Sequence, residues 1–127
     1  MFNSKTGNPF KSAHTLAERQ KSSARALKRY TNRCPVIVID HSSSPAVSNE
    51  ITRKYLVPTD MSIAQLVTVI KKNCHISSET AIYLITEGGS MVSGSSTVGQ
   101  AYHAHKDKED NFIYLCMHTE NAFGCNF

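Results

Sequence analysis

The sequence has 127 residues, of which 40% are hydrophobic and 19% are charged, with a formal net charge of +4. A chain of this length has room for one domain with one hydrophobic core. Its apolar runs, such as Val36–Ile39, are far shorter than the roughly 20 residues that cross a bilayer, so membrane attachment would have to be added later. The first residues lack the apolar core and cleavage site of a secretory signal, which predicts a cytoplasmic protein.

The charge is distributed unevenly along the chain. Residues 1–33 contain eight Lys or Arg and one Glu, a net charge of +7, whereas the remainder has six basic and nine acidic residues, a net charge of −3. Such a basic segment can meet acidic proteins, anionic lipid or nucleic acid, but solvated charge on a helix gives the same composition. The charge alone therefore leaves the partner open.

The N-terminal third predicts an amphipathic helix that begins near Pro9. Its apolar residues recur at spacings near three, four and seven, which is typical of one helical face. Basic residues would cover the rest of the helix. The predicted face is narrow and consists of Phe10, Ala13, Leu16, Ala17, Ala24 and Leu27.

Two strands are predicted after this helix. The β-branched run Pro35–Ile39 has the composition of a buried strand. Lys54–Val57 is predicted as a second strand that ends at Pro58, because proline cannot donate the next hydrogen bond of the ladder. The serine-rich residues 41–49 between them predict a loop.

A second helix is the clearest element of the sequence. Apolar residues recur at helical spacing from Ile63 to Ile70, and Ser62 and Gln65 have the spacing of a capping box. A strand at 81–85, a glycine-rich and serine-rich loop from Gly88 to Gly99, a short helix at 98–104 and a last strand at 112–118 follow. Two antiparallel strand pairs separated by a helix predict an α+β fold whose helices cover one face of the sheet.

No combination of residues indicates a catalytic or cofactor site. His103 and His105 would need Asp107 or His118 to complete a metal site, and a solvated histidine pair explains them better. The glycines of residues 88–99 lack the ending of a phosphate-binding loop. We therefore expect neither enzymatic activity nor a metal or other cofactor.

The four cysteines are scattered, and no Cys-x-x-Cys pair indicates a zinc or redox site. A cysteine nucleophile would need a histidine brought near it by the fold, and nothing local favours one cysteine over another. Cys125 lies third from the end, whereas C-terminal prenylation requires a cysteine fourth from the end. That route to a lipid anchor is excluded.

Four sequence blocks occur in chain order: Asn32–Ile37, Lys54–Asp60, His105–Asp107 with Phe112–Tyr114, and Glu120–Gly124. Together they resemble the autophagy-related protein 8 family, which includes the GABA-receptor-associated protein and microtubule-associated light chain 3. The resemblance covers about residues 9–124. It implies a ubiquitin-like β-grasp domain at 34–118, a basic N-terminal helical extension at 1–33 packed on it, and a C-terminal tail at 119–127.

The resemblance also implies two hydrophobic pockets that receive the aromatic and the aliphatic residue of a short linear motif in cargo receptors. Arg33 and Arg53 would contact acidic residues beside the motif. Carried over by position, the first pocket is lined by Pro35, Ile37, Lys54, Leu56 and Phe112, and the second by Tyr55, Val57, Pro58, Met61, Leu66 and Val69.

Three residues depart from the family pattern near these pockets. Ser22 stands where many members have an acidic residue, Ala26 where they have a larger aliphatic one, and Asn73 where they have a basic one. We therefore expect the two pockets to prefer different peptide motifs from those of other family members.

The C-terminal tail is, by the same resemblance, the site of a covalent modification. A cysteine protease would remove residues 125–127, cleaving before Cys125, and ubiquitin-like activating and conjugating enzymes would carry Gly124 as a thioester. The carboxylate would end in an amide with phosphatidylethanolamine. A glycine suits a narrow enzyme site because it has no Cβ, and Phe123 would anchor the tail. The resemblance implies a monomeric tag, cytoplasmic when free and on the autophagosome membrane when lipid-linked.

An unconjugated basic adaptor that binds anionic lipid or nucleic acid through residues 1–33 is the alternative. It explains the basic segment but neither the Lys54–Asp60 block nor the tail. Ionic strength separates the two hypotheses, because phosphate binding weakens steeply with salt and burial of an aromatic anchor does not. The family interpretation expects no nucleic acid partner.

Overall fold

A computed structural model describes residues 7–40 and 51–120, except for the side chains of Ile51 and Glu120. The predicted loop at 41–49 and residues 121–127 of the predicted tail lie outside the described residues. The elements in chain order are α1 (Pro9–Ala13), α2 (Leu16–Arg29), β1 (Arg33–Asp40), β2 (Ile51–Pro58), α3 (Ile63–Asn73), β3 (Ala81–Thr86), α4 (Val98–His105) and β4 (Ile113–Glu120).

The strands form one mixed sheet in the order β2-β1-β4-β3. β1 pairs antiparallel with β2 and parallel with β4, and β4 pairs antiparallel with β3. The first and last strands are therefore central, and β2 and β3 form the two edges. This sheet and its helices confirm the predicted α+β fold of β-grasp type.

Helices cover both faces of the sheet, so the prediction of a single covered face is wrong. β1 is buried from Cys34 to Asp40. Because successive side chains of a strand point to opposite faces, Val36 and Val38 join the main core with α3 and α4, whereas Ile37 and Ile39 pack against Phe10 of α1. A strand that is apolar on both faces requires cover on both.

The N-terminal segment forms two helices instead of the single predicted one. α1 ends at Ala13, and Thr15 is the N-cap of α2. The Thr15 hydroxyl accepts a hydrogen bond from the amide of Glu18 (3.1 Å), whose carboxylate accepts one from the Thr15 amide (2.9 Å). This capping box starts a new helix, and the predicted apolar stripe does not continue across the break.

The buried side of α2 also differs from the prediction. Its buried residues are Arg19 and Ser23, whereas Leu16 is 37% exposed. Ala17 and Ala24 are exposed as well, and Leu27 is half-buried. The inward face of α2 is therefore polar, which requires polar partners on the domain.

Local sequence patterns set the ends of the remaining elements. α3 begins at the predicted capping box of Ser62 and Gln65, and α4 begins at an equivalent one. β4 extends to Glu120 because Thr119 and Glu120 pair with Ile82 and Ala81 of β3. The first two residues of the predicted tail therefore belong to the sheet.

Candidate functional site

A groove of about 330 Å³ lies between α2 and the edge strand β2. Pro35 and Phe112 are its most buried lining residues and form its floor; Phe112 is only 1% exposed. Ala26 and Leu56 are half-buried and add apolar wall. We call this site the α2–β2 groove; it is lined by Ser22, Arg25, Ala26, Arg29, Tyr30, Pro35, Lys54, Tyr55, Leu56 and Phe112.

One face of α2 forms a whole side of the groove. Ser22, Arg25, Ala26 and Arg29 stand at positions i, i+3, i+4 and i+7, which places them in one row along a helix. β2 supplies the opposite side. The width of the groove therefore depends on where α2 rests on the domain.

A buried polar network holds α2 in this position. Arg19 Nη1 lies 2.6 Å from Asp110 Oδ2, and the Ser23 hydroxyl donates to the Asp110 carbonyl oxygen. The Tyr114 hydroxyl donates to the same carboxylate at 2.5 Å, and the amide of Phe112 donates to its other oxygen at 2.9 Å. The network therefore ties α2 to the segment that supplies the groove floor.

Burial and pairing shift the protonation equilibria of this network. Burial lowers the pKa of Arg19, but its interactions with Asp110 and Tyr114 together outweigh burial and raise the pKa overall. Burial raises the pKa of Tyr114 far above its usual value, and its hydrogen bond to Asp110 raises it further. Tyr114 thus stays a neutral donor, and Arg19 stays charged, across the physiological range.

The mouth of the groove is positively charged. Arg25, Arg29 and Lys54 are exposed lining residues, and the groove has no Asp or Glu in its lining. The Lys54 ammonium donates to the Ser22 hydroxyl at 3.0 Å, from β2 to α2. Among the residues that the structure describes, none of these three bases forms an ion pair. The groove therefore combines an apolar floor with uncompensated positive charge.

The β2 backbone forms an edge of the sheet beside the groove. Among the described strands β2 pairs with β1 alone, so it forms one edge of the sheet. An edge strand offers backbone donors and acceptors to an extended peptide, and pockets beside it select alternate side chains. The groove opens beside such an edge.

Comparison with known proteins identifies the family. The family model described as "Autophagy protein Atg8 ubiquitin like" matches residues 18–124. The chain belongs to the Atg8 family. This confirms the sequence resemblance, the ubiquitin-like fold and the connection with autophagy.

Individual Atg8 relatives match along nearly the whole chain. It is 37% identical over 116 residues to autophagy-related protein 8D of Oryza sativa subsp. japonica, which covers 91% of this chain and 97% of that protein. It is 36% identical over 117 residues to autophagy-related protein 8 of Candida albicans, covering 91% and 83%. The crystal structure of Trypanosoma brucei ATG8 superimposes with a TM-score of 0.75 at 26% identity, covering 92% of this chain and 98% of that one.

The residues predicted for the first Atg8 pocket are mostly found in the groove. Pro35, Lys54, Leu56 and Phe112 line it. Ile37 does not: it is fully buried in the cluster below, which also contains Phe112. The binding role of these residues remains a prediction.

Six lining residues were absent from the predicted first pocket, of which Ser22 and Ala26 were noted only as departures from the family pattern near it. Arg25, Arg29 and Tyr30 were not predicted as site residues, and Tyr55 was assigned to the second pocket. The two α2 arginines could have been found from the helical spacing, because they stand three and seven residues after Ser22. Tyr30 follows the last residue of α2, where the sequence pattern gives no direction for the side chain.

The residues predicted for the second pocket lie where β2 meets α3. Two of them, Val57 and Leu66, are core residues with 4% and 1% exposure. Tyr55 and Met61 are partly buried against that core. The side-chain amide of Asn73 in α3 donates a hydrogen bond to the Tyr55 hydroxyl at 3.4 Å. The remaining two predicted residues, Pro58 and Val69, are half-buried.

The two arginines predicted to contact acidic residues have different surroundings. Arg33 is exposed, and its Nη1 donates to the carbonyl oxygen of Leu56 at 3.2 Å. Arg53 is half-buried, and its Nε lacks a hydrogen-bond partner within the described part of the chain. Burial raises the pKa of the Cys74 thiol, and the nearby charge of Arg53 partly opposes this rise.

The remaining predicted features are the histidine pair of α4 and the C-terminal tail. His103 and His105 are exposed on α4, and residues 7–40 and 51–120 contain no cluster of three or more His, Cys, Asp or Glu suited to a metal ion. No described helix is both long and apolar enough to cross a bilayer. Phe123, Gly124 and Cys125 lie outside the described residues.

Proposed function

We propose that this Atg8-family protein is a lipid-linked tag of autophagosomal membranes that recruits cargo receptors by binding a short linear motif. The observation that carries the binding part is the α2–β2 groove, an apolar-floored cleft that opens beside an edge strand. The protein acts as a ubiquitin-like modifier and not as an enzyme. It is cytoplasmic before conjugation and membrane-bound afterwards.

In this proposal the motif adds to the sheet as a strand along residues 53–56 of β2. Residues i and i+3 of an extended peptide point to opposite faces, because side chains alternate along a strand. An aromatic residue therefore enters the α2–β2 groove while an aliphatic residue three positions away reaches the α3 face, where Tyr55, Met61 and Val69 are partly buried. This spacing of an aromatic, two spacers and an aliphatic residue fits both faces of one edge strand.

The tag becomes attached to lipid through Gly124. A cysteine protease exposes its carboxylate, and activating and conjugating enzymes carry it as a thioester. The amine of phosphatidylethanolamine then attacks the carbonyl carbon, and the enzyme thiol leaves as the amide forms. Two facts support this part: the family match extends to residue 124, and a residue without Cβ leaves its carbonyl unhindered.

Amide chemical shifts test the binding part. A peptide with an aromatic residue, two spacers and an aliphatic residue is titrated into the isotope-labelled protein, and shifts are expected at residues 53–57 and 22–29. A peptide with alanine at both anchor positions serves as the control. Perturbations confined to other surfaces would refute the assigned site.

Intact mass spectrometry tests the conjugation part. The full chain, its Gly124→Ala variant and a chain ending at Gly124 are incubated with the cognate protease, conjugating enzymes and phosphatidylethanolamine vesicles. The full chain should be cleaved and lipidated, and the shortened chain should be lipidated without the protease. Efficient lipidation of the alanine variant, or an adduct at another residue, would overturn the assignment to Gly124.

A further inference from the structure

The charge of the α2–β2 groove limits which side chain of a peptide ligand, here called its anchor, can occupy the groove. Arg25 and Arg29 of α2 and Lys54 of β2 are exposed at a cleft with no acidic lining residue. The Lys54 ammonium is hydrogen-bonded to a neutral hydroxyl, that of Ser22, at 3.0 Å. A neutral ring would cover the apolar floor but leave these charges unpaired. An anchor with both an aromatic ring and an anionic group would match both parts.

The fold also determines which end of an anchor meets the charges. A peptide strand added to β2 lies on the side of the groove away from α2, since β2 is the edge of the sheet and α2 packs over β1. An aromatic side chain that enters from this strand crosses the floor formed by Pro35 and Phe112. Its distal end then approaches α2, where Ser22 stands in the row of arginines.

We propose that the α2–β2 groove accepts phosphotyrosine as the aromatic anchor of its ligand motif. The ring covers the apolar floor, and the phosphate at its distal end is bound by Lys54, the Ser22 hydroxyl and the two arginines of α2. This inference rests on the proposed function, because it treats the groove as the site of a peptide motif. Phosphorylation of the anchor would then strengthen recruitment.

The chemistry of these side chains suits a phosphomonoester. A phosphotyrosine carries a charge of about −1.5 to −2 at neutral pH and three strong acceptor oxygens. Guanidinium groups bind phosphate through paired hydrogen bonds, and Lys54 adds a compact positive charge. The Ser22 hydroxyl accepts from Lys54 and keeps its own hydrogen to donate. A carboxylate in place of this hydroxyl would repel the phosphate.

The size of the groove is consistent with this anchor. At about 330 Å³ it falls at the lower end of the range of ligand sites, about 300–1,000 Å³. Free phosphate would leave the floor uncovered, and an unmodified tyrosine would leave the bases unpaired. Phosphotyrosine both covers the apolar floor and pairs with the basic side chains at the mouth.

Four peptides of one sequence test the proposal with the full chain. They carry Phe, Tyr or phosphotyrosine at the anchor, or Phe at the anchor with a phosphoserine two residues before it. Calorimetric titration should give about tenfold tighter binding for phosphotyrosine than for Tyr, the effect of one charge-assisted hydrogen bond. The flanking phosphoserine should give less than threefold, because it meets only screened charge at the mouth.

Three variants locate the phosphate. Ser22→Glu should abolish the preference for phosphotyrosine, measured within that variant as the ratio of its affinities for the phosphotyrosine and Phe peptides. Lys54→Gln should reduce the preference severalfold, and Lys71→Gln on α3, outside the groove, should not change it. Ser22 lies on the surface of α2, and glutamate is a good helix former, so the variant should fold normally.

The outcomes separate this inference from the function on which it rests. If no peptide binds near β2, the proposed function fails. If the Phe and Tyr peptides bind there but phosphotyrosine binds equally or more weakly, only the inference is overturned. A phosphotyrosine gain no larger than that of the flanking phosphoserine, or one that survives Ser22→Glu, would also overturn it.

Discussion

Arg19 of α2 and Asp110 of the segment before β4 form a buried ion pair in which Nη1 and Oδ2 are 2.6 Å apart. Their side chains are 9% and 0% exposed. Asp110 also accepts hydrogen bonds from Tyr114 and from the Phe112 amide. Within the described residues this is the ion pair that joins α2 to the domain, beside hydrogen bonds from Gln20 and Ser23 to the carbonyl oxygens of Glu109 and Asp110.

Removing one partner of this pair should be costly. Asp110→Ala leaves Arg19 charged and unpaired in the interior, so the free energy of unfolding should fall by about 3–5 kcal/mol. Arg19→Met should cost less, because Asp110 keeps two of its other donors. Urea unfolding measures both, with the exposed Lys108→Ala as the control.

A double variant tests whether the two residues act as a pair. The loss in Arg19→Met combined with Asp110→Asn should be smaller than the sum of the two single losses by at least about 1 kcal/mol, since neither charge is then left alone. Strict additivity would contradict the pairing.

The ion pair between Lys11 of α1 and Asp107 should make the stability of the protein depend on pH. Burial opposes ionisation of Asp107, but the hydrogen bond from Lys11 at 2.6 Å and those from two backbone amides outweigh it and lower its pKa. A lowered folded-state pKa gives stability that is present above the unfolded value of about 3.9 and is lost as the pH falls through the folded value. Asp107→Asn should therefore lower stability at pH 7 by about 1 kcal/mol and progressively less below pH 4.

Lys11, the basic partner of Asp107, sets the high-pH limit of this stabilisation. The pKa of Lys11 is raised, although burial opposes this, because Asp107 and Glu87 accept its hydrogen bonds. This stability is complete below about pH 10.4 and is lost only as the pH rises through the raised value. Urea midpoints at pH 3, 7 and 9 test the loss at acid pH and the absence of a loss up to pH 9, with the exposed Asp60→Asn as control. An Asp107→Asn deficit as large at pH 3 as at pH 7 would disprove the assignment.

Gly99 in α4 should be intolerant of a methyl group. An added Cβ would lie 3.0 Å from the carbonyl oxygen of Thr59, which accepts a hydrogen bond from the Gly99 amide at 2.9 Å. Alanine normally stabilises a helix interior by about 0.5–1 kcal/mol relative to glycine. Here we expect Gly99→Ala to destabilise by about 1–3 kcal/mol, because the crowded atom belongs to the backbone.

Thermal unfolding provides the comparison. Gly94→Ala is the matched control, because its Cβ would lie 3.7 Å from the Ala64 Cβ, an ordinary contact. A Gly99→Ala variant as stable as the unmodified protein would show that α4 can move away from Thr59 at little cost.

The outer face of α2 should attract anionic membranes. Lys21 and Lys28 are exposed on this helix and lie outside the lining of the groove. Each base close to an anionic surface contributes roughly 1 kcal/mol, so replacing both by glutamine should weaken binding to phosphatidylserine vesicles by about tenfold or more at low salt. Vesicle sedimentation measures this, with Lys71→Gln and Lys72→Gln combined as the equal-charge control. Equal losses in the two double variants would indicate a general effect of net charge.

The elements that sequence predicted well are those whose determinants are local. The periodicity from Ile63 to Ile70 and the capping box at Ser62 define α3 without reference to the rest of the chain. The apolar run of β1 likewise identified a buried strand. It also contained the information that both faces are covered, since Ile37 and Ile39 are as apolar as their neighbours.

The errors concern α2, whose inward face depends on a distant residue. Arg19 and Asp110 are 91 positions apart, so helical periodicity assigned the arginine to solvent and the alanines to the interior. The floor residues of the groove were predicted through the family resemblance. The α2 side was only partly recognised, because the orientation of a helix with a polar inward face cannot be obtained from hydrophobic spacing.

The parallel pairing of β1 with β4 has a consequence for how the protein reaches its native state. Val36 lies beside Ile113, 77 positions later in the chain, and this pairing runs through the middle of the sheet. Closing so long a loop costs entropy before any contact compensates for it, which slows folding relative to chains of mainly local contacts. During synthesis the β1–β2 hairpin emerges from the ribosome well before β4. Until β4 arrives, one side of β1 has no strand to pair with, and this apolar strand is open to chaperones or to a neighbouring nascent chain.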